Sequence, residues 1–222
     1  RYFDNVKDEI RKDYTFHEGI LEPCKEMMDE FGLEGLDALA DYVCQNSYDA
    51  VMAEVAKLPK GTFRSSMTID GYDKPLQLVA EVTISDDGIS VDYDGTSPQS
   101  RYGVNVPHAY TIAYTCFGLS CIVSPDVPNN AGSLAPFTVR APEGSILNAP
   151  YPAAVCSRHV IGQMLPDTIF GCLAQAVPER IPAEGAGCLW NLTFRGETDR
   201  GSNDASIFCI TAVTNGGTGA RP

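Results

Sequence analysis

The residues best suited to chemistry lie in three short stretches. Ser157-Arg158-His159 heads a segment with helical periodicity. An arginine there can hold a carboxylate or phosphate in bidentate fashion, and an imidazole titrating near neutrality can move a proton. A helix N-terminus adds a favourable dipole for an anion, and serine is a capping type. Asp167 lies two turns further along and can orient His159 only if the helix bends. Arg158, His159 and Asp167 are therefore candidate catalytic groups, with Ser157 a substrate- or anion-binding one. The plainer alternative is a capping serine and a histidine satisfied by a backbone carbonyl. His108, after Pro107 at another helix start, joins the binding candidates, whereas His17 beside Glu18 reads as solvated.

The second stretch is the glycine run Gly216-Gly217-Thr218-Gly219-Ala220-Arg221. The backbone N–H groups of Gly216, Gly217 and Gly219 can cradle an anion, with Arg221 beside them. The run lacks the Lys-Ser/Thr of a nucleotide loop, and glycines equally serve wherever positive φ is needed. The third stretch, Asp92-Tyr93-Asp94-Gly95-Thr96-Ser97-Pro98, carries two carboxylates able to bind a metal or place a water. Its structural alternative is a turn capped by its own side chains. No Gly-x-Ser-x-Gly turn supports a serine triad, and no Cys-x-x-Cys pair supports a structural zinc. We expect no metal site within this stretch of chain.

The elements that must position these groups begin with two helices. Ile20, Cys24, Met27, Met28 and Phe31 recur at helical spacing up to Gly32, and a second run carries Leu36, Leu39, Val43, Val51 and Leu58. Short connections of this kind predict an antiparallel helical hairpin. The period then becomes two: Phe63 to Ile69, Leu76 to Ile84, and Ile89 to Tyr93 predict a three-stranded antiparallel meander. Beyond it, Asn105 is a candidate cap for a helix through Ile112, Cys116 and Leu119. A loop from Ser124 to Gly132 precedes a short strand near Phe137–Val139. A helix follows with Ile161, Leu165, Ile169, Cys172 and Leu173 inward, and Pro166 bends it or marks its first turn. Strands near Cys188–Phe194 and Ser206–Val213 complete the pattern. The predicted class is α+β, with a helical hairpin over residues 1–61 and an α+β core over 62–222.

Hydrophobic residues make up 44% of the 222 residues and charged ones 20%, as in a globular domain with its own core. A formal net charge of −13 repels phosphate backbones and argues against a nucleic-acid partner. No apolar run is long enough to span a bilayer, so no membrane association is expected. The eight cysteines lie in a long chain without a secretion signal, so most are read as small buried hydrophobes of a cytoplasmic protein. Both ends read as cuts through longer sequence.

Several short motifs then fall in a recognisable order. Asp94-Gly95-Thr96-Ser97-Pro98-Gln99 and Gly103-Val104-Asn105-Val106-Pro107 are followed by Pro128-Asn129-Asn130-Ala131-Gly132. Ala141-Pro142-Glu143-Gly144-Ser145-Ile146-Leu147-Asn148, Pro152-Ala153-Ala154-Val155, Ala174-Gln175-Ala176-Val177-Pro178-Glu179-Arg180 and the terminal glycine run complete the series. In this order and spacing the chain resembles the hydantoinase B/oxoprolinase family across nearly its whole length. The resemblance implies part of a B-type subunit working with an ATP-binding A-type partner in a hetero-oligomer that opens cyclic amides such as hydantoins or 5-oxoproline. ATP would be bound by the partner. The family's His- and Asp-rich motifs that look like ligands for a divalent metal would precede Arg1, so this stretch alone is expected to be inactive. Similar subunits occur in acetone and acetophenone carboxylases, which is the alternative reading. A non-catalytic assembly module is a third.

Overall fold

The computed structural model describes residues 22–183, 188–197 and 205–214. The chain divides into two compact units, residues 1–46 and 47–222. In the first, helix α1 covers residues 22–31 and stops at Gly32, whose φ of +63° few other residues adopt. The Leu33 N–H donates to the Met28 carbonyl at 2.8 Å and the Gly32 N–H to Asp29 at 3.4 Å. This is a Schellman close, and it satisfies carbonyls the helix end would orphan. Helix α2, Asp37–Val55, follows, and its residues from Ser47 onward belong to the second unit.

The second unit is built on a sheet of β1 (Gly61–Ile69), β2 (Leu76–Ser85), β3 (Gly88–Asp92) and β4 (Phe137–Arg140), in that order. The first three form the expected antiparallel meander. The sheet does not end there: β4 pairs in parallel with β3, from Ile89 opposite Phe137 to Asp92 opposite Arg140. A parallel neighbour needs a long crossover, here through α3 (His108–Val123) and the short α4 (Ala131–Leu134). A four-residue strand with one buried side chain carries too little periodicity to reveal its partner.

Helix α5 (Arg158–Gly162) and helix α6 (Leu165–Leu173) replace the single helix expected there. Pro166 lies in the first turn of α6, where its missing N–H costs nothing. Leu165, Ile169, Cys172 and Leu173 are fully buried, and each large side chain so placed is worth about 1.5–3 kcal/mol over exposure. Helix α6 packs on β1, β2 and α3. Strands β5 (Cys188–Glu197) and β6 (Ala205–Thr214) fall where strands were expected and form a separate antiparallel pair. No helix among the described residues is long and apolar enough to cross a membrane.

Two expectations need correction. The inward face of α3 is not led by Ile112, which is 38% exposed, but includes Thr111 and Thr115, both fully buried. The threonines are tolerated because Thr111 donates to the Leu147 carbonyl at 2.6 Å and Thr115 pairs with the Tyr93 hydroxyl at 2.6 Å. The cysteines are mixed: Cys116 and Cys172 are buried, Cys24 and Cys44 half-buried, and Cys121 and Cys156 exposed. Burial pushes the Cys172 thiol up to about 11. The Cys209 side chain lies outside the described residues.

Candidate functional site

The corner around α5 is held by Asn105. It is fully buried and does not cap α3, whose preceding residue is Pro107. Its Oδ1 accepts from the Ser100 N–H at 2.7 Å. Its Nδ2 donates to the carbonyls of Ser100 (2.8 Å), Tyr102 (2.9 Å) and Ala154 (2.9 Å). The last of these ties the segment leading into α5 to the loop after β3. A second tie runs from the Ser157 N–H to the Gly103 carbonyl at 2.7 Å. Gly103 lies close to Cys156: a Cβ there would stand 2.4 Å from the exposed Cys156 Sγ, which would have to turn aside.

On this anchored backbone Ser157 precedes α5 but makes no side-chain cap. With only five residues, α5 has little macrodipole to offer an anion, so any anion attraction rests on the guanidinium of Arg158. Arg158 is exposed and donates to the Val155 carbonyl at 3.2 Å. Its guanidinium carbon stands 5.6 Å from the Tyr110 ring centroid, within cation–π range. Tyr110 stacks on Tyr114 at 4.7 Å and lies so near Gly162 that a Cβ there would be 2.3 Å from its ring. Desolvation first, and the Tyr114 hydroxyl second, push the Tyr110 phenol up to about 12, while Arg158 opposes them.

Arg101, Tyr102 and Asp73 flank the same corner and carried no signal in the sequence. Arg101 Nη2 donates to Asp73 Oδ1 at 2.9 Å and to the Tyr102 hydroxyl at 2.7 Å, and that hydroxyl donates to Asp73 at 2.8 Å. The Tyr102 hydrogen bond, then that of Arg101, holds the Asp73 carboxyl below its ordinary range. Tyr72 packs on Tyr102 with centroids 4.6 Å apart. Asp73 is 28 residues from Arg101, so no local spacing could reveal the trio. A cavity of about 230 Å³ lies between this group and α5, lined by Asp70, Tyr72, Leu76, Val104, Val160 and Ile161. The corner thus presents tyrosine rings and the exposed Arg158 guanidinium, and His159 is half-buried beside Arg158 in the sequence of α5. Such a set can grip a carboxylate or carbonyl oxygen and pass a proton.

Of the other catalytic and binding candidates, Asp167 lines a different cleft, His108 heads α3, and the rest lie beyond the described residues. Half-buried Asp167 lines a different cleft, along β1 with Ser66, Thr68, Phe170 and Ala174. His108 is the first residue of α3, and its Nε2 is buried without a hydrogen-bond partner among the described residues. Gly216, Gly217, Gly219 and Arg221 lie outside the described residues. Asp92 behaves as a turn-former, bonded through Oδ2 to Arg140 and accepting the Asp94 N–H on Oδ1 at 3.0 Å. Among the described residues no group of three or more His, Cys, Asp or Glu could hold a metal ion.

The motif residues themselves form a dense seam. Ile146 donates to the Ser97 carbonyl (2.9 Å), Gln99 to Gly144 (2.8 Å) and Val106 to Ile146 (2.8 Å). Thr96 bonds both backbone groups of Val79, and Asn148 Nδ2 donates to Ala141 at 2.9 Å.

A protein described as the B-type subunit of a D-/L-hydantoinase, from Pseudomonas sp. (strain NS671), is 30% identical over 188 residues, covering 78% of this chain and 32% of that protein. The crystal structure of ATP-dependent caprolactamase from Pseudomonas jessenii shares the fold, with TM-score 0.71 at 22% identity, covering 83% of this chain and 32% of that one. Nucleotide-free acetone carboxylase shares it less closely, with TM-score 0.61 at 16% identity, covering 76% of this chain and 25% of that one. The chain thus spans about a third of the hydantoinase protein's length. Residues 18–222 match the hydantoinase B/oxoprolinase family, and the chain belongs to that family.

Proposed function

We propose that this chain is part of the B-type subunit of an ATP-dependent cyclic-amide hydrolase, a cytoplasmic enzyme working with an ATP-binding A-type partner. The match over residues 18–222 carries the reading. In it, Arg158 grips the substrate's carbonyl or carboxylate oxygen, His159 moves the proton, and Ser157 and the tyrosine walls shape the cleft. Asp167 is a further candidate in catalysis, and His108, Gly216, Gly217, Gly219 and Arg221 are further candidates for binding. ATP is bound by the partner. A divalent metal would come from a part of the subunit other than this chain, whose described residues offer no such cluster.

The second reading, an acetone-type carboxylase subunit, is favoured by the acetone carboxylase fold likeness, which is lower in both TM-score and identity than that to caprolactamase. ATP hydrolysis by the complete enzyme, offered hydantoin, 5-oxoproline, acetone and acetophenone with and without bicarbonate, separates the two. Turnover with a cyclic amide and no bicarbonate requirement is expected. Turnover only with a ketone and bicarbonate would assign the chain to the carboxylases.

A further inference from the structure

Strand β1 is an edge of the sheet, and its free side opens onto the cleft beside α6. All nine of its residues pair with β2 in one unbroken register, Gly61 with Ile84 through Ile69 with Leu76. The direction of its backbone groups follows from three hydrogen bonds. Gln175 Nε2 donates to the Arg64 carbonyl at 2.9 Å, so Arg64 points away from β2. On the far side of β2, Val79 bonds Thr96 and Gln77 bonds Ser97. Val79 and Gln77 are the register partners of Ser66 and Thr68. Residues opposite one another in an antiparallel pair either both face inward or both face outward. Ser66 and Thr68 therefore direct both N–H and C=O off the edge, and among the described residues no strand pairs with them.

Such an edge is normally blunted by proline, lysine, a bulge or brevity. Strand β1 has none of these: its sequence is Gly-Thr-Phe-Arg-Ser-Ser-Met-Thr-Ile, with Arg64 its single charge. The cleft along it measures about 460 Å³, and its opposite wall carries Phe170, Ala174, Ile181 and Pro182, with Asp167 and Thr168 its polar members. A strand edge facing a helix-side wall that carries apolar side chains is the geometry of strand addition, in which main-chain bonds hold a peptide and alternate side chains enter pockets.

We propose that the β1–α6 cleft receives an extended segment of another polypeptide, which adds a fifth strand beside Ser66 and Thr68. The outward N–H and C=O groups at alternate residues require a backbone in extended form. The wall at Phe170 and Ile181 takes apolar side chains at every second position. The formal net charge of −13 favours a cationic segment and disfavours a second copy of this chain.

The test uses the 222-residue chain and a labelled, end-blocked peptide as long as β1 that alternates valine and lysine. A matched peptide is N-methylated at every second residue, which keeps charge and side chains but removes the bonding N–H groups. Binding is followed by fluorescence anisotropy. We expect the methylated peptide to bind at least about fivefold more weakly, as loss of roughly one net hydrogen bond dictates. Ser66→Pro should weaken binding similarly without disturbing the β1–β2 ladder, because that N–H faces the cleft. Should that variant fail to fold, Ala174→Arg, which obstructs the wall, serves in its place. Absence of binding overturns the proposal, as does equal binding of the methylated peptide, which would mean charge attraction alone. Concentration-dependent dimerisation abolished by Ser66→Pro would also overturn it, in favour of self-pairing.

Discussion

The seam joining residues 94–107 to 141–149 and the corner around α5 are neighbours of opposite character. The seam is closed: Asn105 and Asn148 spend their polar atoms on backbone groups of adjacent loops, and Thr96 and Ser97 spend theirs on strand β2. The corner is open: Arg158 is exposed and donates to its own loop at Val155. Residues that make a family recognisable are thus mostly those that stitch loops together. The groups able to meet a substrate sit where the stitching stops. The family signature reports a shape, and the proposed chemistry falls to residues that the shape presents.

The largest effect is expected at the seam. Asn105→Ala strands the Ser100 N–H and the carbonyls of Ser100, Tyr102 and Ala154 in a buried place. Unfolding in urea should show a loss of about 3–5 kcal/mol. A loss under about 1 kcal/mol would mean that the loops hold without their hub. Thr115→Val comes next. It keeps the shape but leaves the fully buried Tyr93 hydroxyl unpaired, for an expected loss of about 1–3 kcal/mol in the same measurement.

How far the sequence discloses this contrast depends on the period of each element. The meander is readable because β2 and β3 bury alternate residues on a single continuous register. Strand β4 is short, and its parallel partner lies across α3, so nothing local specifies it. Helix α3 misleads because its buried face carries two threonines that look polar until their partners are known. Pro166 leaves two readings of one helix open, a bend or a first turn, and the structure has it in the first turn of a separate α6. At the site, Ser157, Arg158 and His159 could be named from residue type and position. Tyr110, Arg101 and Asp73 could not, because their neighbours are distant in sequence.

Smaller effects sharpen the other side of the comparison. The Tyr110 phenol is pushed above its unfolded value, so the folded form keeps its proton where the unfolded chain has lost it. The stability this gives is complete below about pH 10 and is lost as pH rises towards about 12. Tyr110→Phe should flatten that fall in a melting-temperature profile, whereas an unchanged profile would place the ring in ordinary solvent. Arg158→Met is expected to leave stability within about 0.5 kcal/mol, as for exposed sites generally.

The central claim is that the closed seam folds the chain and the open corner serves the reaction. It is tested most directly by measuring ATP-dependent ring opening of hydantoin and 5-oxoproline by the complete enzyme carrying Arg158→Met or His159→Ala, alongside each variant's melting temperature. The account predicts turnover lower by about 100-fold or more with melting unchanged, the scale of a lost proton-transfer group or charged anchor. Wild-type turnover in both variants would contradict it and make this chain an assembly module.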